Sequence, residues 1–296
     1  MTIEAVEHIC PMRGGAQSHL VRCSDGHSYV VKFANNPQHR RVLANEWLAG
    51  RLAQAIGLPV PSVAMVQVGS VLVEKSPGLK IRVGKQLIAC ANGLQFGSRV
   101  PTSSPCAPIY DQLSRPALSR VENLSDFVGM LLFDQWTCNC DMRQVIFCQG
   151  PSQDTLRAYM VDQGSCFNRG SWSFPDSPLR GIYRDGAVYA GISRRDSVEP
   201  WLIRLESLSD DAIVAAGQEA PEEWYGRWPQ ILRLLEQLTL RRHLARNLLR
   251  ASLELLPLFC GYQTNSASAE ESRNFMTCRK DIQGGTLPTA APSGPV

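Results

Sequence analysis

Two aspartates in this chain stand where an apolar run meets a bend: Asn139-Cys140-Asp141, and Val161-Asp162-Gln163-Gly164. Two carboxylates about one hairpin apart suit phosphoryl transfer, in which one accepts a proton while the other holds a metal. Upstream, Lys32 in Tyr29-Val30-Val31-Lys32-Phe33 could offset phosphate charge. Glu46, in Asn45-Glu46-Trp47-Leu48, could turn inward and pair with that ammonium. Gly14 and Gly15 sit in a small-residue turn, Arg13 to Ser18. Taken singly, a strand lysine is usually solvated and a helix glutamate usually exposed. The order of the set is the signal.

The elements that must position these residues follow from local pattern. Glu4 to Cys10, Leu20 to Cys23 and Tyr29 to Phe33 read as three antiparallel strands, with the glycine turn joining the first two. Asp25-Gly26 is a strong hairpin signal between the second and third. Alternation puts Val30 and Lys32 on one face, Val31 and Phe33 on the other. A helix is expected from an Asn36 N-cap, with Pro37 at its first position, to Gly57 at C′. Leu43, Trp47, Leu52 and Ile56 form its apolar stripe, and Glu46 lies beside them. Val63 to Val68 and Val71 to Glu74 read as strands, Ile81 to Ala89 as a continuation of the sheet, and Ala91 to Gly97 as the connection onward.

Arg99 to Arg120 is rich in Pro and Ser and reads as a loop or insertion. A helix beginning at Asn123 delivers Trp136 and Thr137 to the Asp141 bend. Gln144 to Cys148 and Leu156 to Val161 then form a hairpin, with Asp141 just before its first strand and Asp162 just after its second. The aromatic stretch Ser165 to Gly191 reads as an ordered loop with its own small core. Helices follow at Pro200 to Glu206, Asp210 to Ala216 and Pro221 to Trp228. Two leucine stripes close the series: Ile231, Leu234, Leu235 and Leu238, then Leu244, Leu248, Leu249 and Leu253. From Thr264 the composition turns polar and reads as a loose tail.

Composition narrows the class. With 296 residues, 44% hydrophobic and 19% charged, the chain has globular proportions and room for one domain with two lobes. A net charge of +3 with scattered Lys and Arg argues against a nucleic-acid binder. No apolar run is long enough to span a membrane, and the N-terminus lacks a signal-peptide pattern. The ten cysteines show no paired CxxC spacing, so small buried thiols in a reduced, cytoplasmic protein are expected.

Val30-Val31-Lys32-Phe33, Asn45-Glu46, Phe133-Asp134-Gln135-Trp136-Thr137-Cys138-Asn139-Cys140-Asp141 and Asp162-Gln163-Gly164-Ser165-Cys166-Phe167-Asn168 together resemble the HipA-like kinase family, in its compact bacterial form. The resemblance runs from about Arg13 to Leu256. It implies an α+β, two-lobed protein-kinase-like fold: a small antiparallel β-sheet lobe with one main helix over residues 1–97, a mainly helical lobe over 98–262, and a tail over 263–296. It implies ATP and Mg2+ as cofactors and a Ser/Thr hydroxyl of a protein as acceptor, with a small-molecule hydroxyl as the alternative substrate. By matched position Asp141 is the catalytic base and Asp162 the metal ligand. Lys32 touches the phosphates, Glu46 orients it, and Gly14 and Gly15 lie over them. One position departs from the pattern. Five residues after the base, where a kinase carries a metal-binding asparagine, stands Ile146. Either Gln144 or Asn139 serves as the second metal ligand, or one metal alone is well held, and a nucleotide-binding pseudokinase becomes the competing reading. A regulatory partner protein and the oligomeric state are not legible in the chain.

Overall fold

The computed structural model describes residues 2–102, 107–152, 154–192, 194–264 and 273–274. The chain opens with β1 (Thr2–Pro11), β2 (His19–Cys23) and β3 (Ser28–Lys32), continues through α1 (Val42–Ala55), β4 (Val63–Val68) and α2 (Ser70–Lys75), and returns in β5 (Lys80–Val83), β6 (Gln86–Ala89) and β7 (Gly93–Arg99). Then come β8 (Tyr110–Gln112), α3 (Arg115–Leu118), α4 (Asp126–Trp136), and the hairpin β9 (Gln144–Gln149) and β10 (Leu156–Val161). Four helices follow, α5 (Glu199–Glu206), α6 (Asp210–Gln218), α7 (Trp228–Arg242) and α8 (Ala245–Thr264), with β11 at Arg273–Asn274.

The first sheet closes into a barrel in the order β1-β2-β3-β7-β4. Its three opening strands are antiparallel, as their alternation predicts, but β1 also pairs with β4 in parallel, so the sheet is not purely antiparallel. The Asp25-Gly26 turn forms. Gly26 is left-handed at φ +80°, and the Asp25 carboxylate accepts the His27 N–H at 3.0 Å and the Tyr29 hydroxyl at 2.8 Å. Val21, Val31 and Val66 fill the barrel interior with Phe33 and Leu79. Alternation therefore turns Val30 and Lys32 outward, onto the wall of a cleft.

Several local readings are corrected. Ala91–Gly97 is not a connector, because Gly93–Arg99 is a barrel strand between β3 and β4, and the 97/98 boundary falls inside it. Gly97 is required there: a Cβ would stand 2.5 Å from Val66 Cγ2. Val71–Glu74 lies in a helix, because that winding packs Leu72 and Val73 onto the barrel. The β5–β6 hairpin is a separate two-stranded sheet. Within 99–120, β8 and α3 are ordered elements, and residues 103–106 lie outside the described part.

Helix α1 begins at Val42, not at Asn36, whose side chain is used elsewhere. Its Nδ2 donates to the Ala16 carbonyl at 2.6 Å and its Oδ1 accepts the Gln38 N–H at 2.8 Å. The far end matches the expectation: Gly57 is left-handed, with Gly57 N–H on Gln54 O and Leu58 N–H on Ala53 O, a Schellman closure. Likewise α4 starts at Asp126, while Asn123 instead bonds both backbone groups of Ala158 and anchors β10. Gly217 lies inside α6, where a Cβ would meet Leu235, and of the expected Pro221–Trp228 helix only a short 3-10 turn forms before Trp228 opens α7. On α8 the buried face is Ala245, Leu249, Ser252 and Leu256, while Leu244 is exposed. Of the expected tail, Thr264 lies in α8 and Arg273–Asn274 pairs with β8; the rest lies outside the described residues. Cys10 is disulfide-bonded, which departs from the all-thiol expectation, whereas Cys23, Cys90, Cys138, Cys140, Cys148 and Cys166 are free.

Candidate active site

The β9–β10 hairpin pairs Gln144 with Val161, so the residues before the first strand and after the second meet at one end of it. Asp141 and Asp162 thereby line the same cleft, of ≈ 270 Å³, together with Lys32, Glu46, Gly14, Gly15 and Gln144. Of the candidates named from sequence, all but Asn139 reach this one space.

At its centre Lys32 bridges two carboxylates. The Nζ stands 2.5 Å from Glu46 Oε1 and 2.6 Å from Asp162 Oδ1. Burial alone would lower the Lys32 pKa, but the two carboxylates outweigh it and push it above the usual lysine range. Burial likewise works to raise Asp162, and Lys32 outweighs it, holding that carboxyl low. Glu46, the more enclosed of the two, is raised by burial despite the ammonium. Its second oxygen accepts the Gln163 backbone N–H at 3.0 Å, so the helix glutamate grips the loop that carries Asp162.

Asp162 itself is left-handed, at φ +59°, a conformation a short acidic side chain tolerates better than most. Gly164, two residues on, is a close approach. A Cβ there would lie 2.9 Å from Val42 Cγ2 and 3.0 Å from Glu46 Oε1. Gly164→Ala should therefore lower stability by about 1–3 kcal/mol through overpacking and displace the Glu46 carboxylate. Thermal melting with and without nucleotide checks this; an unchanged melting temperature would show that the loop gives way freely.

The Asp141 bend is held from beneath by a buried network. Asp134 pairs with Arg143, Oδ1 to Nη2 at 2.5 Å and Oδ2 to Nε at 2.8 Å. Arg143 Nη1 donates to the Val161 carbonyl and to Gln163 Oε1, each at 2.7 Å, which ties the two aspartate bends together. Asn139 Nδ2 donates to Asp134 at 3.0 Å, and its Oδ1 accepts the Asp141 N–H at 3.1 Å. Arg241 closes the C-terminal end of α4, donating to the Gln135 and Trp136 carbonyls. On this rigid base Asp141 is exposed, its Oδ1 accepting the Met142 N–H at 2.8 Å.

The residues offered for a second metal divide. Asn139 is 1% exposed and committed to the bend on both sides of its amide, so it does not face the cleft. Gln144 is exposed on the cleft wall. Ile146 shares that strand face but is buried against Ile109 and Cys148, giving the cleft an apolar floor. Among the described residues no group of three or more His, Cys, Asp or Glu could hold a metal by itself.

The glycine turn is open above and tied below. Gly14 has φ +113° and nothing within 4 Å of the place where a Cβ would be. Asn36 holds Ala16, and the Gln17 amide exchanges two hydrogen bonds with the Arg82 backbone, at 2.8 and 2.6 Å.

Sequence reasoning missed Asn45, Asp134, Arg143 and Gln163 as supports. Asn45 is fully buried, and its Nδ2 donates to the carbonyls of Gly164, Cys166 and Arg169, each at 2.9 Å. The available signal was a polar residue inside an apolar stretch, Val42-Leu43-Ala44-Asn45, where burial demands partners.

Residues 6–150 match the family described as HipA-like kinase. Over that span, just under half of its length, the chain is similar to HipA-like kinases. The matched span includes Lys32, Glu46, Asp141 and Gln144, while Asp162 lies beyond it and enters through geometry. No curated protein sequence matches. Two solved structures share the fold at low identity. The structure of hydra Fam20 with sugar aligns at TM-score 0.51 and 14% identity, over 84% of this chain and 86% of that one. The Helicobacter pylori proinflammatory kinase CtkA aligns at TM-score 0.51 and 12% identity, over 86% of this chain and 99% of its own. The chain thus has a kinase-like α+β fold. Among the described residues no helix is long and apolar enough to cross a membrane.

Proposed function

We propose that the protein is an ATP-dependent phosphotransferase acting on a Ser or Thr hydroxyl of a protein. The observation that carries the reading is Lys32 bridging Glu46 and Asp162 in the cleft that Asp141 also lines. In this reading the barrel with α1 is a nucleotide-holding lobe, the residues that follow β7, to 262, form the second lobe, and 263–296 is a tail.

The residues present fit ATP with Mg2+. The open space over Gly14 admits a phosphate close to backbone, and the apolar floor at Ile146 and Val161 suits a base. Mg2+ keeps several waters and takes few protein ligands, so Asp162 with the Gln144 amide oxygen is a sufficient protein share. The nucleotide and metal would supply the transferable phosphoryl group and a counter-charge. Lys32 would turn its ammonium to the phosphate oxygens, with Glu46 fixing its position. Asp141 would hold the incoming hydroxyl and accept its proton at Oδ2, since Oδ1 is taken by the Met142 N–H. Phosphate incorporation into a lysate proteome, into metabolite alcohols and into the protein itself tests the proposal. Labelling of metabolite alcohols alone would move the acceptor to a small molecule.

A second reading has its own observation: Ile146, buried at the expected asparagine position, cannot ligate. A pseudokinase would bind nucleotide as a regulatory module. Either way, ATP with Mg2+ at a hundred times its dissociation constant should stabilise the chain by about 2.7 kcal/mol. Thermal melting checks this. No shift at millimolar ATP would defeat both readings, whereas a shift without any turnover would favour the pseudokinase.

A further inference from the structure

The loop after Asp162 carries a second concentration of charge that the phosphate chemistry does not use. Phe167, Asn168 and Arg169 are all left-handed, at φ +58°, +54° and +59°, with ψ −131° at Arg169. Such backbone persists only where its surroundings over-determine it, and it clusters at ligand-binding segments. The restraint here is Asn45, with three donated hydrogen bonds, assisted by Arg41. The Arg41 guanidinium donates to the Gly170 carbonyl at 2.9 Å and stacks on Trp172 at 4.0 Å. Arg169 is held exposed by this frame, and Arg40 is exposed next to Arg41 in sequence. His39 lies between the cluster and the cleft: its Nε2 donates to the Gly164 carbonyl at 3.1 Å, and it feels the charges of both Lys32 and Arg169. Its Nδ1 is buried without a partner among the described residues.

Arg22 is neutralised by Glu7, Arg51 by Glu219, and Arg246 by Glu199 and Glu206, whereas other exposed arginines, Arg13, Arg115 and Arg233 among them, have no ion pair among the described residues. Among the described residues no carboxylate lies within ion-pair distance of Arg40, Arg41 or Arg169. The Arg41 guanidinium is fixed by stacking on Trp172 and by donating to the Gly170 carbonyl and to Gln230 Oε1, each at 2.9 Å. Arg40 and Arg169 are exposed beside it, in the chain and in the restrained loop, and guanidinium groups match the fork geometry of a carboxylate or phosphate.

We propose that Arg169, Arg40 and Arg41 form an anion subsite that recognises an acidic residue, carboxylate- or phosphate-bearing, near the acceptor hydroxyl of a protein substrate. The word substrate rests on the phosphotransferase reading; the anion site does not. The test is a titration of the full chain, without nucleotide, with labelled peptides of one sequence in which a serine is flanked by Glu, by phosphoserine or by Gln. The Glu and phosphoserine peptides should bind about tenfold tighter than the Gln peptide, with a gap that narrows as salt rises. In Arg40→Gln/Arg169→Gln the gap should vanish while the melting shift with ATP and Mg2+ persists. A peptide preference in a chain that shows no nucleotide shift would retain the subsite and sink the phosphotransferase alone. Equal binding of the three peptides, or a preference that survives in the double variant, would overturn the subsite. Single-stranded RNA or phosphatidylserine vesicles binding more tightly than any peptide, and losing that binding in the variant, would overturn it in favour of a polyanion surface.

Discussion

Asp141→Ala should reduce phosphate incorporation by about a hundred- to ten-thousand-fold while leaving the melting temperature nearly unchanged. The expectation combines two structural facts. Asp141 is exposed at the cleft, and the bend beneath it is held by other residues: Asn139 grips the Asp141 backbone, and Asp134 with Arg143 grips Asn139 and the Val161 carbonyl. Removing the carboxylate therefore deletes a proton acceptor without deleting a support; the one hydrogen bond lost is that to the Met142 N–H. Single-turnover labelling of wild type and variant at matched protein concentration measures the effect. Equal labelling in both would remove Asp141 from the base role, and the exposed position would then be that of a surface aspartate.

Asp134→Ala should act in the opposite way, on stability first. Asp134 has no exposed surface, and its carboxylate takes three donors, two from Arg143 and one from Asn139. Truncation leaves the Arg143 guanidinium buried without its counter-charge, a change that costs about 3–5 kcal/mol. For a chain of this size the melting temperature should fall by on the order of 10 °C. Gly181 packs directly onto Asp134, since a Cβ there would stand 2.1 Å from Asp134 Cβ, so the surrounding backbone is built around this side chain. Replacing both partners with apolar residues, Asp134→Leu with Arg143→Met, should recover a substantial part of the loss, since no charge is then stranded. A melting temperature for Asp134→Ala within about 2 °C of wild type would show that the pair is not structural.

The two aspartates differ in sequence by little and in structure by much. Both follow short apolar stretches, and both sit near asparagine or glutamine. Asp141 and Asp162 were legible because a hairpin with clear turn residues places its two ends together. Asp134, seven residues earlier, lies in α4 among Phe133 and Trp136 and reads as an ordinary helix residue. Only the approach of Arg143 and the 181–183 segment to α4 reveals it as the foundation of the bend. The same holds for Asn36. Its residue type suits an N-cap, and the propensity argument was sound, but the tertiary demand of the glycine turn for a donor to Ala16 took the side chain instead. Ala91–Gly97 was misread because its two glycines resemble a linker, whereas the barrel uses Gly97 to let Val66 and Tyr29 approach.

What the sequence determined by itself is the local chemistry and its order. Period-two alternation faces Lys32 away from the barrel core, a helical stripe puts Glu46 beside buried residues, and a hairpin brings Asp141 and Asp162 to one end. These are short-range effects, set by backbone geometry within a few residues. What only the tertiary structure decided is how those pieces meet: that Lys32 touches both Glu46 and Asp162, that Arg143 and Asn45 lock the two bends, and that Asn139 is spent on structure while Gln144 faces the cleft. These depend on contacts between residues as much as 130 positions apart, where the fate of each polar side chain is fixed by whichever buried partner needs it.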